Sequence, residues 1–125
     1  MINEYNKSDL FRTFQKLDIK KGDSIFLSTS LGMLGKPKTT NKNILLTVSN
    51  WILESLEKLI GEKGNIFVPT YSYSFTKKKK IFSVKNTKST IGYFPNFFLK
   101  KKGIIRSRDP MVSIAGYGPQ AKYVL

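Results

Sequence analysis

Apolar residues along this chain alternate between helical spacing and short unbroken runs. Leu10, Phe11, Phe14 and Leu17 share one helical face behind Ser8, a capping residue, and predict a first helix. Lys20-Lys21-Gly22-Asp23 reads as a turn. Ser24 to Ser28 (S-I-F-L-S) is apolar, short and bounded by turn residues, so it predicts a strand. Leu31 to Asn43 is rich in Gly, Thr, Asn and Lys, holds Pro37, and reads as a loop. Leu45, Val48, Ile52, Leu56, Leu59 and Ile60 then recur at helical spacing. They predict a longer helix from about Asn43, stopped at Gly61. After the turn Gly61 to Gly64, Asn65-Ile66-Phe67-Val68 predicts a second strand ended by Pro69. Strand, helix and strand in this order form a βαβ unit, whose strands are expected to be parallel and buried on both faces.

The second half of the chain is less regular. Tyr71 to Lys88 is a long polar segment with interspersed aromatics and the run Lys77 to Lys80. Thr90 to Lys101 predicts a helix with Phe94, Phe97 and Phe98 on its apolar face. Ser89 or Thr90 is its expected cap, Pro95 lies in its first turns, and Gly103 follows its end. Ile104-Ile105 and Ser113 to Gly116 predict further short strands, and Pro119 a final helix of which only Gln120 to Leu125 remain. No internal repeat is visible. The expected fold class is α/β, a three-layer α/β/α arrangement with a mostly parallel sheet. A chain of 125 residues is long enough for one domain with one core.

Composition narrows the chemistry. The chain contains no His and no Cys, which removes a histidine base, thiolate chemistry, disulfides and a structural zinc site from consideration. No apolar run is long enough to span a bilayer, and Met1 to Leu10 is polar, so no membrane partner and a cytoplasmic location are expected. The net charge is +14, from 22 basic and 8 acidic residues. Only Arg12, Arg106 and Arg108 are arginines; the other basic residues are lysines, which supply diffuse charge rather than the bidentate contacts of base readout. Most of that charge reads as a solvated surface, and a small part of it as attraction for an anionic ligand.

In open α/β folds ligands bind beyond the carboxyl ends of the parallel strands. Here those ends continue into Ser28 to Gly35 (S-T-S-L-G-M-L-G) and Thr70 to Ser74 (T-Y-S-Y-S), both rich in hydroxyls. Backbone N–H groups in such loops, or at a helix start, can cradle phosphate or carbonyl oxygens. The plainer alternative is that these residues only build tight loops. The Gly-x-x-Gly pair is not a Walker loop, because no Gly-Lys-Ser/Thr follows it.

Five segments, in order, resemble the aminoglycoside 3-N-acetyltransferase family. They are Leu17 to Asp23 (L-D-I-K-K-G-D), Phe26 to Gly35 (F-L-S-T-S-L-G-M-L-G), Gly64 to Phe75 (G-N-I-F-V-P-T-Y-S-Y-S-F), Ser89 to Pro95 (S-T-I-G-Y-F-P) and Arg106 to Gly118. The resemblance implies an acetyl-coenzyme A-dependent N-acetyltransferase with no metal, acting on a small-molecule amine, an aminoglycoside or an amino sugar. It implies that Ser30, Leu31 and Gly32 line the pantetheine channel. Ser89, Thr90, Ile91 and Gly92 are expected to offer a helix start to the coenzyme's phosphates. Arg106 is expected as a coenzyme or structural contact, and Tyr71 is expected to face the acceptor cleft. Their plainer readings are a surface cation for Arg106 and an ordinary helix cap for Ser89 or Thr90.

The chain departs from the family pattern in its last block. Asp109 and Val112 stand where the family carries histidines, and the first of those would act as general base. Asp109 is the one remaining candidate base, with a turn-forming role as its alternative. Family members are roughly twice as long, so residues 1–125 are expected to be the N-terminal part of a single acetyltransferase domain, apparently truncated. Two other readings stay open. One is a basic nucleic-acid-binding module built on Lys77 to Lys80 and Lys100 to Lys102 with Tyr71, Tyr73, Phe75, Phe97 and Phe98. The low arginine content and the helical spacing of the Phe residues disfavour it. The other is an inactive remnant.

Overall fold

The computed structural model describes residues 4–76 and 81–125. Helix α1 (Lys7–Gln15) starts two residues earlier than a Ser8 cap would allow, because Asn6 rather than Ser8 caps it. The Asn6 side chain accepts from the Asp9 N–H, and the Asp9 carboxylate accepts from the Asn6 N–H, a reciprocal capping box. Leu10 on this helix is buried, whereas Leu17 lies beyond its end and is exposed. Strand β2 (Ser24–Phe26) follows. The predicted loop holds a short 3-10 turn (Leu31–Met33) and strand β3 (Lys36–Pro37). β3 pairs in parallel with β1 (Glu4–Tyr5), a pairing with no signature in so short a stretch of sequence.

Helix α2 (Ile44–Ile60) runs between the residues expected to bound it. The Asn43 side chain caps its start by accepting from the Leu46 N–H. Gly61 ends it at φ 67°, a conformation that favours glycine. α2 buries Val48, Ile52, Leu53, Leu56 and Ile60. These pack with Leu10, with Ile66 and Val68 of β4 (Asn65–Pro69), with Ala115, and with Phe94 and Phe98 of α3 (Tyr93–Phe98). That single cluster is the core.

The main sheet has four strands in the order β2-β4-β6-β5, with β5 spanning Ile105–Arg106 and β6 Ile114–Tyr117. β2 and β4 are parallel, as the βαβ reading requires, with Phe26 opposite Phe67. The sheet is nevertheless mixed rather than mostly parallel, since β6 runs antiparallel to both β4 and β5. The reason lies in the connection. Only residues 107–113 separate β5 from β6, too few for the helical crossover that a parallel pair demands.

Helices α1, α2 and α3 sit on the sheet face that carries Ile25, Ile66, Val68 and Ala115. The other face carries Phe67 and Gly116, and there a Cβ on Gly116 would come within 2.9 Å of both Phe67 and the terminal Leu125. The helical cover on that face is therefore α4 (Ala121–Val124) and its tail. It does not extend to the edge strand: Phe26 remains 56% exposed, so β2 is not buried on both faces as expected. Gly118 marks a close approach between chain segments. At φ 127° it leaves no room for a Cβ, which would lie 2.5 Å from the Gly64 carbonyl oxygen.

Candidate functional site at the end of β4

β4 ends at Pro69, and the chain then continues beside residues 110–113 instead of leaving the sheet. The Thr70 N–H donates to the Ser113 carbonyl, those of Ser72 and Tyr73 to that of Met111, and that of Ser74 to that of Pro110. Tyr73 takes a left-handed conformation, φ 50°, at the bend, and its ring meets the Tyr71 ring edge-on. Tyr71, expected to face the acceptor cleft, is half-buried. Its carbonyl is the anchor for the next segment: it accepts from the Thr90 N–H at 2.9 Å and from the Ser89 hydroxyl at 3.0 Å.

This anchoring reshapes the expected third helix. Ser89 is buried and spends its hydroxyl on the Tyr71 carbonyl, so it is not the helix cap. α3 begins at Tyr93, after Gly92 at φ 134°, and runs for six residues in place of the predicted Thr90 to Lys101. The Asn96 side chain reaches back from α3, accepting from the Ser89 N–H and donating to the carbonyls of Ser89 and Gly92. Pro95 sits in the first turn, where its missing N–H leaves no gap. Thr90 and Gly92 are exposed and Ile91 half-buried. Among the described residues, the N–H groups of Gly92, Tyr93 and Phe94 donate to no protein acceptor.

Arg106 is not a surface cation. It is 7% exposed and its guanidinium turns inward. Nε donates to the hydroxyls of Thr70 (3.2 Å) and Ser113 (3.0 Å), and Nη2 to the Thr70 carbonyl (2.8 Å). Nη1 donates to the carbonyls of Val84 and Thr87, and the Phe82 ring lies 5.0 Å from the guanidinium carbon. Burial pulls its pKa below the usual arginine value.

Asp109, the candidate base, lies beside this cluster on an exposed turn. Its carboxylate accepts from the N–H groups of Met111 (2.7 Å) and Val112 (2.8 Å). Those two bonds, Val112 first, hold its carboxyl below the usual carboxylate range. The geometry gives Asp109 the hydrogen bonds of a turn former, the alternative its sequence context offered, and a proton acceptor for an amine would be served by the opposite shift. Val112 is exposed and carries no titratable atom.

The parallel β2–β4 pairing places the chain after Phe26 at the same end of the sheet, with the Leu27 N–H donating to the Phe67 carbonyl. Ser30 and Gly32 are exposed there, and Leu31 packs against the core. Among the described residues no hydrogen bond joins Ser30–Gly32 to Ser89–Gly92. A separate cleft of about 630 Å³, lined by Glu57, Lys101, Tyr117 and Pro119, opens at the opposite end of β4 beside Gly64.

Sequence reasoning missed Thr70, Ser113 and Asn96 as parts of this cluster. Thr70 and Ser113 lie in stretches singled out for their hydroxyls or for strand pattern, but their partnership spans a long sequence separation. Asn96 carried no signal, because a polar residue on an otherwise apolar helix is not informative by itself. For the nucleic-acid reading, Lys77 to Lys80 lie outside the described residues. Its aromatic part fails at Phe98, which is fully buried, and at Phe97, which packs against the core, so neither offers a stacking face.

Comparison with known proteins decides the lineage. Residues 29–125 match the family described as aminoglycoside 3-N-acetyltransferase. The chain belongs to that family. A search of curated proteins returns no match. Among solved structures, the chain is similar to the aminoglycoside acetyltransferase AAC(3)-Xa, with TM-score 0.77, 18% identity, and coverage of 98% of this chain and 46% of that one. It is similar to AAC-IIIb bound to CoASH, with TM-score 0.75, 16% identity and coverage of 97% and 48%. It is also similar to the YokD protein from Bacillus subtilis, with TM-score 0.79, 18% identity and coverage of 97% and 53%. At such identities these likenesses establish the aminoglycoside 3-N-acetyltransferase fold. The chain spans about half the length of these relatives. Among the described residues, no helix is long and apolar enough to cross a membrane.

Proposed function

We propose that this chain forms the donor-binding part of an acetyl-coenzyme A-dependent N-acetyltransferase that acylates an amino group of an aminoglycoside or an amino sugar. The observation that carries this reading is the match to the aminoglycoside 3-N-acetyltransferase family over residues 29–125, which spans both loops at the carboxyl end of the β2–β4 pair. Coenzyme A is the ligand of one relative with this fold, AAC-IIIb. The residues present fit such a ligand. Thr90 and Gly92 are exposed, and the N–H groups of Gly92, Tyr93 and Phe94 have no protein acceptor among the described residues, which suits phosphate oxygens. Ser30, Leu31 and Gly32 offer a mixed polar and apolar strip for the pantetheine arm. A net charge of +14 favours an anionic donor over a polycationic acceptor. Residues 1–125 act in this reading as the N-terminal part of a single acetyltransferase domain.

In the reaction the amine nitrogen attacks the thioester carbonyl, the carbon–sulfur bond breaks, coenzyme A leaves as its thiolate, and the amine gives up one proton. These residues bind and orient the donor. No histidine is present to take the proton, and Asp109 is committed to its turn. Turnover by this chain is therefore expected to be slow and to rise with pH as the free-amine fraction grows, without the inflection near about pH 6.5 that a histidine base gives.

Calorimetric titration of the full chain with acetyl-coenzyme A tests the reading. One-to-one binding that weakens at least about tenfold in both Thr90→Pro and Gly92→Trp supports it. Binding left intact by both substitutions removes Ser89–Gly92 from the site, and absence of binding by the unmodified chain refutes the donor role.

A further inference from the structure

We infer that Arg106 is a positioning residue: a buried guanidinium that clips the segment Phe82–Thr90 onto the end of the sheet and so sets the backbone of Ser89–Gly92. The inference rests, for its functional meaning, on the reading of that segment as coenzyme-facing.

A buried charge is costly unless it is paired or fully hydrogen-bonded. Arg106 forms no ion pair among the described residues. Its charge is met instead by the carbonyls of Thr70, Val84 and Thr87 and by the hydroxyls of Thr70 and Ser113, with the Phe82 ring against the guanidinium. These acceptors fall into two groups. Thr70 and Ser113 belong to the sheet end, where the Thr70 hydroxyl lies 3.1 Å from that of Ser113. Val84, Thr87 and the Phe82 ring belong to the long connection that leads into Ser89. The arginine fork is the bridge between the groups.

The geometry needs arginine. A guanidinium presents five donors in one plane, so opposite edges can serve two backbone segments at once. An ammonium has three donors from a single point and cannot reach the Thr70 side and the Thr87 carbonyl together. Among the described residues, the other hydrogen bonds that hold this stretch to other segments are those of Ser89 and Thr90 to the Tyr71 carbonyl and those between Ser89 and the Asn96 side chain. All of them act at its Ser89 end, so without Arg106 the part from Phe82 to Thr87 loses its hydrogen bonds to the sheet end. With four of its five N–H donors on protein oxygens and its side chain buried, Arg106 is ill placed to touch the coenzyme itself. Of the two roles expected from the sequence, coenzyme contact or structural contact, the inference takes the structural one.

The test combines two readouts on the full chain and on Arg106→Lys and Arg106→Met, each checked for native circular dichroism. Amide hydrogen exchange at Thr87 and Thr90 should speed up at least about tenfold in both variants, while Phe67 and Val68 stay protected. Acetyl-coenzyme A affinity should fall in parallel, and lysine should not rescue it. Unchanged exchange at Thr87 and Thr90 in folded variants overturns the inference, whatever the affinity does. Lost affinity with unchanged exchange would instead make Arg106 a direct ligand contact. Faster exchange in variants of a chain that never bound the coenzyme upholds the clip and refutes the donor reading, so the two failures are distinct.

Discussion

Asp109 and Arg106 show how two charged residues close in the chain acquire different surroundings in the fold. Both are charged and both lie in the block that resembles the family's last motif. Asp109 is exposed and held ionised by two N–H groups, whereas Arg106 is buried and spent on carbonyls. The Asp109 shift carries a pH signature. Its folded pKa is depressed, so its stabilising contribution is present above the unfolded value of 3.8 and is lost as pH falls through the folded value. Asp109→Asn keeps an acceptor oxygen but loses the charge. Its Tm should lie below that of the unmodified chain at pH 7, and the gap should close as melts are run at progressively more acid pH, through the depressed folded value. A gap that persists in acid would show that the carboxylate's charge is irrelevant to the turn. Asp109 was legible as a turn former from the Asp-Pro pair alone. Arg106 was not legible as a buried bridge, because its partners come from residues 70, 84, 87 and 113.

At the scale of elements, α2 was predicted almost residue for residue, and α3 was not. α2 is long, its apolar positions repeat over several turns, and its caps, Asn43 and Gly61, are residues whose local chemistry suits those positions. Asn43→Ala should therefore cost about 1 kcal/mol, measurable by urea denaturation. A cost near zero would mean that the Leu46 N–H finds water equally well. α3 is short, and tertiary hydrogen bonds decide where it starts. Tyr71 captures Ser89 and Thr90, and Asn96 captures the chain at Ser89 and at Gly92. The predicted start at Thr90 follows local propensity, which is a weak force against such fixed partners. β1 and β3 were invisible for a related reason: at two residues each they carry no periodicity.

Across the whole molecule, charge and the covered and uncovered faces of the sheet matter most. Because the charge is spread over many exposed lysines, attraction for an anionic donor should be long-range and screened. Acetyl-coenzyme A affinity is expected to weaken several-fold when salt is raised from about 0.1 M to about 1 M, where the screening length falls from about 10 to about 3 Å. Salt-independent affinity would assign recognition to short-range contacts alone. The uneven cover of the sheet could not be read from the strand sequences. Ser24–Ser28 and Asn65–Val68 both read as strands buried on two faces, yet β2 became an edge strand with Phe26 exposed. Strand order is a property of the assembled sheet, and an apolar run does not encode its neighbour.

The sequence by itself determined the βαβ unit, the limits of α2 and the family to which the chain belongs, because each rests on local periodicity, caps or ordered short motifs. It also determined that none of these 125 residues is a histidine that could serve as base. Only the tertiary structure decided the antiparallel half of the sheet, the late start of α3, and the burial of Arg106 among its acceptors. Each of these depends on hydrogen-bond partners outside the local segment, and no local pattern specifies which distant carbonyl a donor will meet.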